Sequence, residues 1–148
     1  MGKESRVPLK AVVAAMLCVA LCSGCAPKVV QYVDSGRSYD ATAALSVLDG
    51  TDSSAVAQKA TSLGPKLRSE ALAGLTRQGS SASEIAGLLT RTFPSTANGV
   101  PLYVERMTFG GKPSVLVVEA IGPEGGVLAS KRLWVISDAG DVLFSGTR

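Results

Sequence analysis

Histidine is absent from this 148-residue chain, and cysteine occurs only at positions 18, 22 and 25. Because histidine is the commonest general base and a frequent metal ligand, its absence argues against the most familiar catalytic and metal sites. The Gly-x-Ser-x-Gly motif of many hydrolases is also missing. Only seven residues are aromatic (one Trp, three Tyr and three Phe), which leaves few rings for stacking on sugars. We therefore expect a protein that is not an enzyme and uses no cofactor and no metal.

Net charge is low once the first 24 residues are set aside. In that segment three basic residues, at positions 3, 6 and 10, outweigh Glu4 and leave a net charge of +2. The remainder holds 12 of the 15 basic and 11 of the 12 acidic residues, a net charge of +1. A nearly neutral domain lacks the positive field that attracts nucleic acid. We expect no nucleic-acid partner.

The N-terminal segment has the three parts of a bacterial export signal. Its basic start is followed by 12 uninterrupted apolar residues (Ala11–Cys22), and the small residues Ser23 and Gly24 then precede Cys25. An apolar run of this length is typical of a signal peptide. As a helix it would reach about 18 Å, which is short of the roughly 30 Å hydrocarbon core. The pattern indicates a cleavable signal peptide over residues 1–24.

Cys25 differs from the other two cysteines because it alone follows a pair of small residues. The stretch "LCSGC" resembles the lipobox of bacterial lipoproteins, with Cys22 where leucine is usual. The resemblance implies cleavage after Gly24 and lipidation of the Cys25 sulfur, as with palmitate. The protein would then be anchored in the cell membrane or the outer membrane, exposed to the periplasm or the cell exterior. Ordinary secretory cleavage, an uncleaved anchor, and a metal or disulfide cluster are the alternatives.

A single domain is expected after the anchor. Residues 25–38 would hold the lipidated cysteine and a tether, although the apolar residues within 29–33 leave a short edge strand open. Residues 39–148 would fold as one unit, since about 110 residues can bury a core without disulfide bonds.

The first part of that domain, residues 39–94, shows helical periodicity. In the clearest stretch Ser81 and Glu84 have capping-box spacing, and Pro94 ends the pattern. Four helical stretches are predicted: "SYDATAALSVLDG", "TDSSAVAQKATSLG", "PKLRSEALAGLTRQG" and "SASEIAGLLTRTF".

The second part, residues 100–147, is rich in Val, Leu and aromatic residues between short Gly-containing connections. Four such runs predict an antiparallel meander with one apolar face. That face would gather Leu116, Val118, Trp134 and Ile136, and Trp134 would belong to the core rather than form a stacking platform. The predicted fold is α+β, with N-terminal helices packed on a C-terminal four-stranded antiparallel meander in two layers.

One pair of carboxylates is a candidate for catalysis. If Phe109–Ser114 closes the first hairpin, Glu105 and Glu119 lie near each other on adjacent strands. Two such carboxylates could act as acid and nucleophile in glycoside cleavage. The interpretation we favour is that both are solvated strand residues that face Arg106 or Lys131.

Two families of envelope lipoproteins resemble parts of this chain. The stretches "GSSASEIAGLL" and "LWVISDAGDVLFSG" are similar to a helix start and the last strand pair of the BamE/SmpA type. The stretches "DSGR", "DGTDSSAVAQ" and "GKPSVLVVEAI" are similar to LpoB-type activators of peptidoglycan synthases. Either resemblance implies a non-catalytic accessory that binds a protein partner in the envelope. Only the lipobox cysteine, Cys25, is carried over as a functional residue.

We therefore expect a membrane-anchored bacterial envelope lipoprotein whose domain binds a protein partner, as an accessory in envelope assembly. An anchored domain that binds a small ligand or inhibits an enzyme is the alternative, and a glycoside-cleaving enzyme is a distant third. An exposed apolar patch favours partner binding. An enclosed pocket of a few hundred Å³ favours a ligand. A cleft that holds both carboxylates favours the enzyme.

Overall fold

A computed structural model describes residues 30–93 and 98–148 of the chain. The predicted signal peptide, Gly24 and Cys25 lie outside the described residues. The elements in chain order are β1 (Gln31–Tyr39), α1 (Ala41–Gly50), a short 3-10 helix (Thr61–Leu63), α2 (Gly64–Thr76), α3 (Ser80–Thr92), β2 (Val100–Phe109), β3 (Lys112–Ile121), β4 (Ser130–Ser137) and β5 (Val142–Thr147). The predicted α+β class is confirmed.

The sheet has five strands in the order β1-β2-β3-β4-β5. β1 runs parallel to β2, and the other neighbours are antiparallel. A parallel pair needs a long crossover between its strands, and the three helices supply it. The prediction of four antiparallel strands is therefore wrong, since the sheet is mixed and β1 precedes the helices.

β1 forms from residues that the sequence assigned to the tether. Val30 is 2% exposed, and Tyr32 packs against the same core. Tyr32 also donates a hydrogen bond from its hydroxyl to Ser81 of α3 at 3.0 Å. Burial of these apolar side chains draws the segment onto the sheet. The prediction of a tether over residues 25–38 is wrong from Gln31 onward. The short strand that was considered within residues 29–33 is present from Gln31.

Helices cover both faces of the sheet. On one face, called the α2/α3 face, residues such as Leu75 and Leu89 pack against the strands. On the other, called the α1 face, Ala44 and Leu48 of α1 do so. The domain thus has three layers, and the two-layer prediction is wrong. The reason lies in strands such as β3, which is buried continuously from Ser114 to Ala120 and so needs cover on both faces.

The four residues predicted to share one apolar face are divided between the two. Leu116 and Val118 belong to the core of the α1 face, whereas Ile136 and Trp134 belong to that of the α2/α3 face. Alternate residues of a strand point to opposite faces, so a strand buried on both sides places apolar residues at successive positions.

Three of the four predicted helical stretches contain helices. Asp40 caps α1 by accepting a hydrogen bond from the Ala43 amide at 2.8 Å. The stretch that follows α1 forms turns and the 3-10 helix instead. Asp52 there accepts a hydrogen bond from the Ser54 amide, a local bond that competes with helix formation.

The predicted capping box at Ser81 and Glu84 is absent. α3 begins one residue earlier, at Ser80, and its N-cap residue is Gly79. Ser81 instead accepts the hydrogen bond from Tyr32, and Glu84 lies beside an arginine of β2. The pattern located the N-cap of the helix to within two residues, although the mechanism inferred from it is wrong.

Candidate functional site

The two carboxylates considered as a catalytic pair lie on opposite faces of the sheet. Glu105 pairs with Leu116 across β2 and β3, and Leu116 belongs to the α1 face. Glu119 lies three residues beyond Leu116 on the same strand, so the pleat directs its side chain to the α2/α3 face. The prediction that the two carboxylates lie close together is wrong. They cannot serve as acid and nucleophile on one substrate.

The alternative of two solvated carboxylates is also wrong. Glu105 is 1% exposed and Glu119 is 0% exposed. Arg106 and Lys131, the expected partners, make their polar contacts with other residues. A buried carboxylate is costly unless hydrogen bonds or opposite charges compensate for lost water. The groups that contact each carboxylate therefore indicate its role in the structure.

Glu119 is held by an ion-pair network on the α2/α3 face. Its two oxygens accept hydrogen bonds from Arg68 at 2.8 Å, from Arg132 at 3.0 Å and from the Trp134 indole at 3.1 Å. Arg68 lies on α2 and is itself buried, so the network joins that helix to β3 and β4. A Cβ atom added at Gly99 would lie 2.6 Å from a Glu119 oxygen, which leaves no room there for a ligand. The network is structural.

Trp134 packs into the same region. Its ring stacks on Phe93 with 5.0 Å between ring centroids, and the guanidinium of Arg132 lies 4.7 Å from its centre. The indole therefore packs against an aromatic ring and a cation. Trp134 is partly buried and packs against the core of the α2/α3 face, in line with the prediction.

Glu105 is surrounded by hydroxyl groups on the α1 face. Tyr103 donates to one carboxylate oxygen at 2.7 Å, and Tyr39 donates to the two oxygens at 3.1 and 3.2 Å. Ser35 donates to Oε1, the oxygen that lies 3.1 Å from the Tyr39 hydroxyl. We call Ser35, Tyr39 and Tyr103 the hydroxyl cage. Because Glu105 is shielded by its donors, it cannot reach a substrate, but it fixes the positions of two tyrosine rings.

A bulge in β1 makes the cage possible. Between Asp34 and Ser38 the pairing with β2 shifts, and Gly36 adopts φ +60°, a conformation suited to glycine. The extra residues bring the Ser35 hydroxyl over Glu105, and that hydroxyl also accepts a hydrogen bond from the Arg37 amide at 3.1 Å. Sequence analysis missed the cage residues. The Ser-Gly pair was the available signal, since glycine within a strand often marks a bulge.

Tyr39 of the hydroxyl cage also belongs to a group of large side chains that are only partly buried. Tyr39, Phe109, Leu143 and Phe144 pack against the core of the α1 face but keep part of their surface exposed. Tyr39 and Phe109 are neighbours in register, and the Phe109 and Phe144 rings stack with centroids 5.8 Å apart. We call these four residues the aromatic surface.

The course of α1 explains why this surface is uncovered. α1 starts directly after β1 and ends where Lys131 donates to the carbonyl groups of Asp49 and Thr51. Its ten residues span about 15 Å, less than half the length of a ten-residue strand. The helix therefore crosses the sheet without covering the turn ends of β2 and β5.

No protein-family model matches the chain, and comparisons with curated proteins and with solved structures found no match. Within residues 30–93 and 98–148, no helix has the length and apolar character needed to span a bilayer. Over the same ranges, cysteine and acidic side chains form no group of three that could hold a metal ion.

The hydroxyl cage predicts a particular alkaline destabilisation. Burial, and then the hydrogen bond to Glu105, raises the pKa of Tyr103 well above its usual value. The folded protein keeps this proton at pH values where the unfolded chain loses it. The free energy of unfolding should therefore fall as the pH rises above about 10. Urea denaturation of Tyr103→Phe between about pH 9 and pH 11 should show a shallower fall than the unmodified protein.

Tyr32→Phe is the matched control, because it removes a hydrogen-bonded tyrosine hydroxyl from the opposite side of the sheet. Its fall in stability with pH should be steeper than that of Tyr103→Phe. Equal pH dependence in Tyr103→Phe and the unmodified protein would contradict the assigned role of the cage.

Proposed function

We propose that the protein is a membrane-anchored bacterial envelope lipoprotein whose non-catalytic domain binds a protein partner through the aromatic surface. The anchor rests on the leader and on Cys25 in its lipobox-like setting. The docking role rests on one observation: a chain with few aromatic residues leaves Tyr39, Phe109 and Phe144 together and partly exposed on one side. Apolar patches kept at a protein surface commonly mark interaction sites.

The composition of the aromatic surface suits a protein partner. Tyrosine, phenylalanine and arginine are enriched in the centres of protein interfaces, and Arg37 lies beside the surface. Arg37 is exposed and lies two residues before Tyr39 on β1, and hydrogen bonding with Tyr39 and then nearby charges, including Glu105, raise its pKa. Aromatic and cationic groups thus occur side by side, as they do at binding hot spots.

The rings are also held in place before any partner arrives. Tyr39 is fixed by its hydrogen bonds to the buried Glu105, and Phe109 and Phe144 fix each other by stacking. Side chains that are already ordered lose less entropy on binding, which raises affinity for a given contact area.

The position of β1 relative to the anchor supports the same function. Five peptide steps separate Cys25 from Val30, so the chain can place the domain no more than about 17 Å from the lipid attachment. β1 begins at this side, and Tyr39 of the aromatic surface is its last residue. A strand of nine residues is about 26 Å long. The surface would therefore face away from the membrane, toward a partner in the aqueous compartment.

The anchor is tested by mass spectrometry of the protein extracted from membranes. We expect the chain to begin at an acylated Cys25, and we expect Cys22→Ser to be processed in the same way. Cys25→Ser should retain its leader and carry no lipid. In the protein without substitutions, an intact leader or a Cys25 thiol that carries no lipid would contradict the lipoprotein proposal.

The docking surface is tested by photo-crosslinking in native membranes. A photoreactive amino acid at Phe144 should give a discrete product with one protein, and Phe109→Ala in the same chain should lower the yield about tenfold. The matched control carries the probe at Leu63, an apolar residue that is 43% exposed outside the aromatic surface. The same products at both positions, or none at Phe144, would contradict this surface as the docking site.

A further inference from the structure

A second feature lies at the other end of α1. A pocket of about 490 Å³ opens between the last turn of α1, the segment that follows it, and the first residues of β1 and β2. We call it the α1-end pocket. Its lining includes Gln31, Val47, Thr51, Asp52, Leu102 and Tyr103. None of them belongs to the aromatic surface.

One wall of the pocket is apolar. Val47 contributes an aliphatic side chain and Tyr103 contributes its ring, whereas the Leu102 side chain is buried in the core of the α2/α3 face. The Tyr103 hydroxyl already donates to Glu105, so the ring cannot turn away without breaking a partly buried hydrogen bond. This wall suits a chain of methylene groups, and the fixed aromatic ring suits a cation placed over its face.

Other lining residues are polar, and one of them is negatively charged. Among the described residues, Asp52 is the only charged residue in the lining, and Thr51 and Gln31 add a hydroxyl and an amide. Hydrogen bonds from the Ser54 amide and hydroxyl lower the pKa of Asp52, which keeps its carboxylate ionised at neutral pH. The carboxyl end of α1 adds the negative pole of the helix dipole.

The protein already binds one ammonium group at this helix end. The Lys131 Nζ donates to the carbonyl oxygens of Asp49 and Thr51 at 3.1 and 2.9 Å. Lys131 does not line the pocket, so it leaves the space itself open. The Ser54 hydrogen bonds and, to a smaller extent, the charge of Lys131 lower the pKa of Asp52, so this helix end already holds one ammonium group near the carboxylate.

We propose that the α1-end pocket binds a primary ammonium group carried on an aliphatic chain. The ammonium group pairs with Asp52 and lies against the Tyr103 ring, Thr51 and Gln31 accept its remaining hydrogen bonds, and Val47 contacts the methylene groups. A lysine side chain of a peptide and a free alkyl diamine share this chemistry. The proposal depends neither on lipidation nor on the aromatic surface.

The test is an NMR titration of the full protein in detergent micelles with cadaverine and with Nα-acetyl-lysine methylamide. We expect a dissociation constant of about 1 mM or lower, with chemical-shift changes at Gln31, Thr51 and Tyr103. Nα-acetyl-norleucine methylamide, which lacks the ammonium group, should bind at least about tenfold more weakly. Similar affinities for the two amines would indicate recognition of the ammonium group alone, and tighter binding of the lysine compound would indicate a peptide ligand.

Two variants that each remove one negative charge complete the test. Asp52→Asn should weaken amine binding about tenfold, because Asp52 lines the pocket. Asp49→Asn changes the same helix end, but Asp49 pairs with Arg148 outside the lining, so binding should change less than about twofold. Circular dichroism of both variants checks that the fold is intact. Equal effects of the two variants, equal binding of the norleucine compound, or shifts centred on Phe109 would overturn the proposal.

Discussion

The parallel pairing of β1 with β2 is the constraint on which the rest of the structure depends. Because β1 and β2 run in the same direction, the chain must return from the end of β1 to the end of the sheet where β1 began before β2 can start. The return path holds all three helices, with α1 on one face and α2 and α3 on the other. Both the aromatic surface and the α1-end pocket are regions that this path leaves uncovered beside α1.

The two buried carboxylates compensate for lost water in different ways. Glu119 has two arginines, so its charge is paired within the α2/α3 face. Glu105 has three hydroxyl donors, and two of them, Ser35 and Tyr39, come from β1. Detaching β1 would leave the Glu105 carboxylate buried with one donor, which is costly. The cage therefore couples the first strand to the sheet and orders the ring of Tyr39 at the same time.

Local signals predicted what depends on local structure. The Gly-containing turns of the meander and the packing of Trp134 against the core follow from neighbouring residues. Only the first residues of β1 were considered as a possible strand, because its partner lies about 70 residues away and its middle has the composition of a polar turn. The faces of the sheet on which Glu105 and Glu119 lie could have been predicted from the sequence. Gly110 and Gly111 form a two-residue turn with Phe109 opposite Lys112, and that register places the carboxylates on opposite faces.

Native-state hydrogen exchange of Glu105→Gln tests the coupling of β1 to the sheet most directly. The amide group can accept hydrogen bonds through one oxygen only, so the donors from β1 lose part of their bonding. The account predicts that amides of β1 paired with β2, such as Val33, exchange at least about tenfold faster, while those of β3 and β4 keep their protection. Unchanged exchange in β1, or an equal increase throughout the sheet, would contradict it.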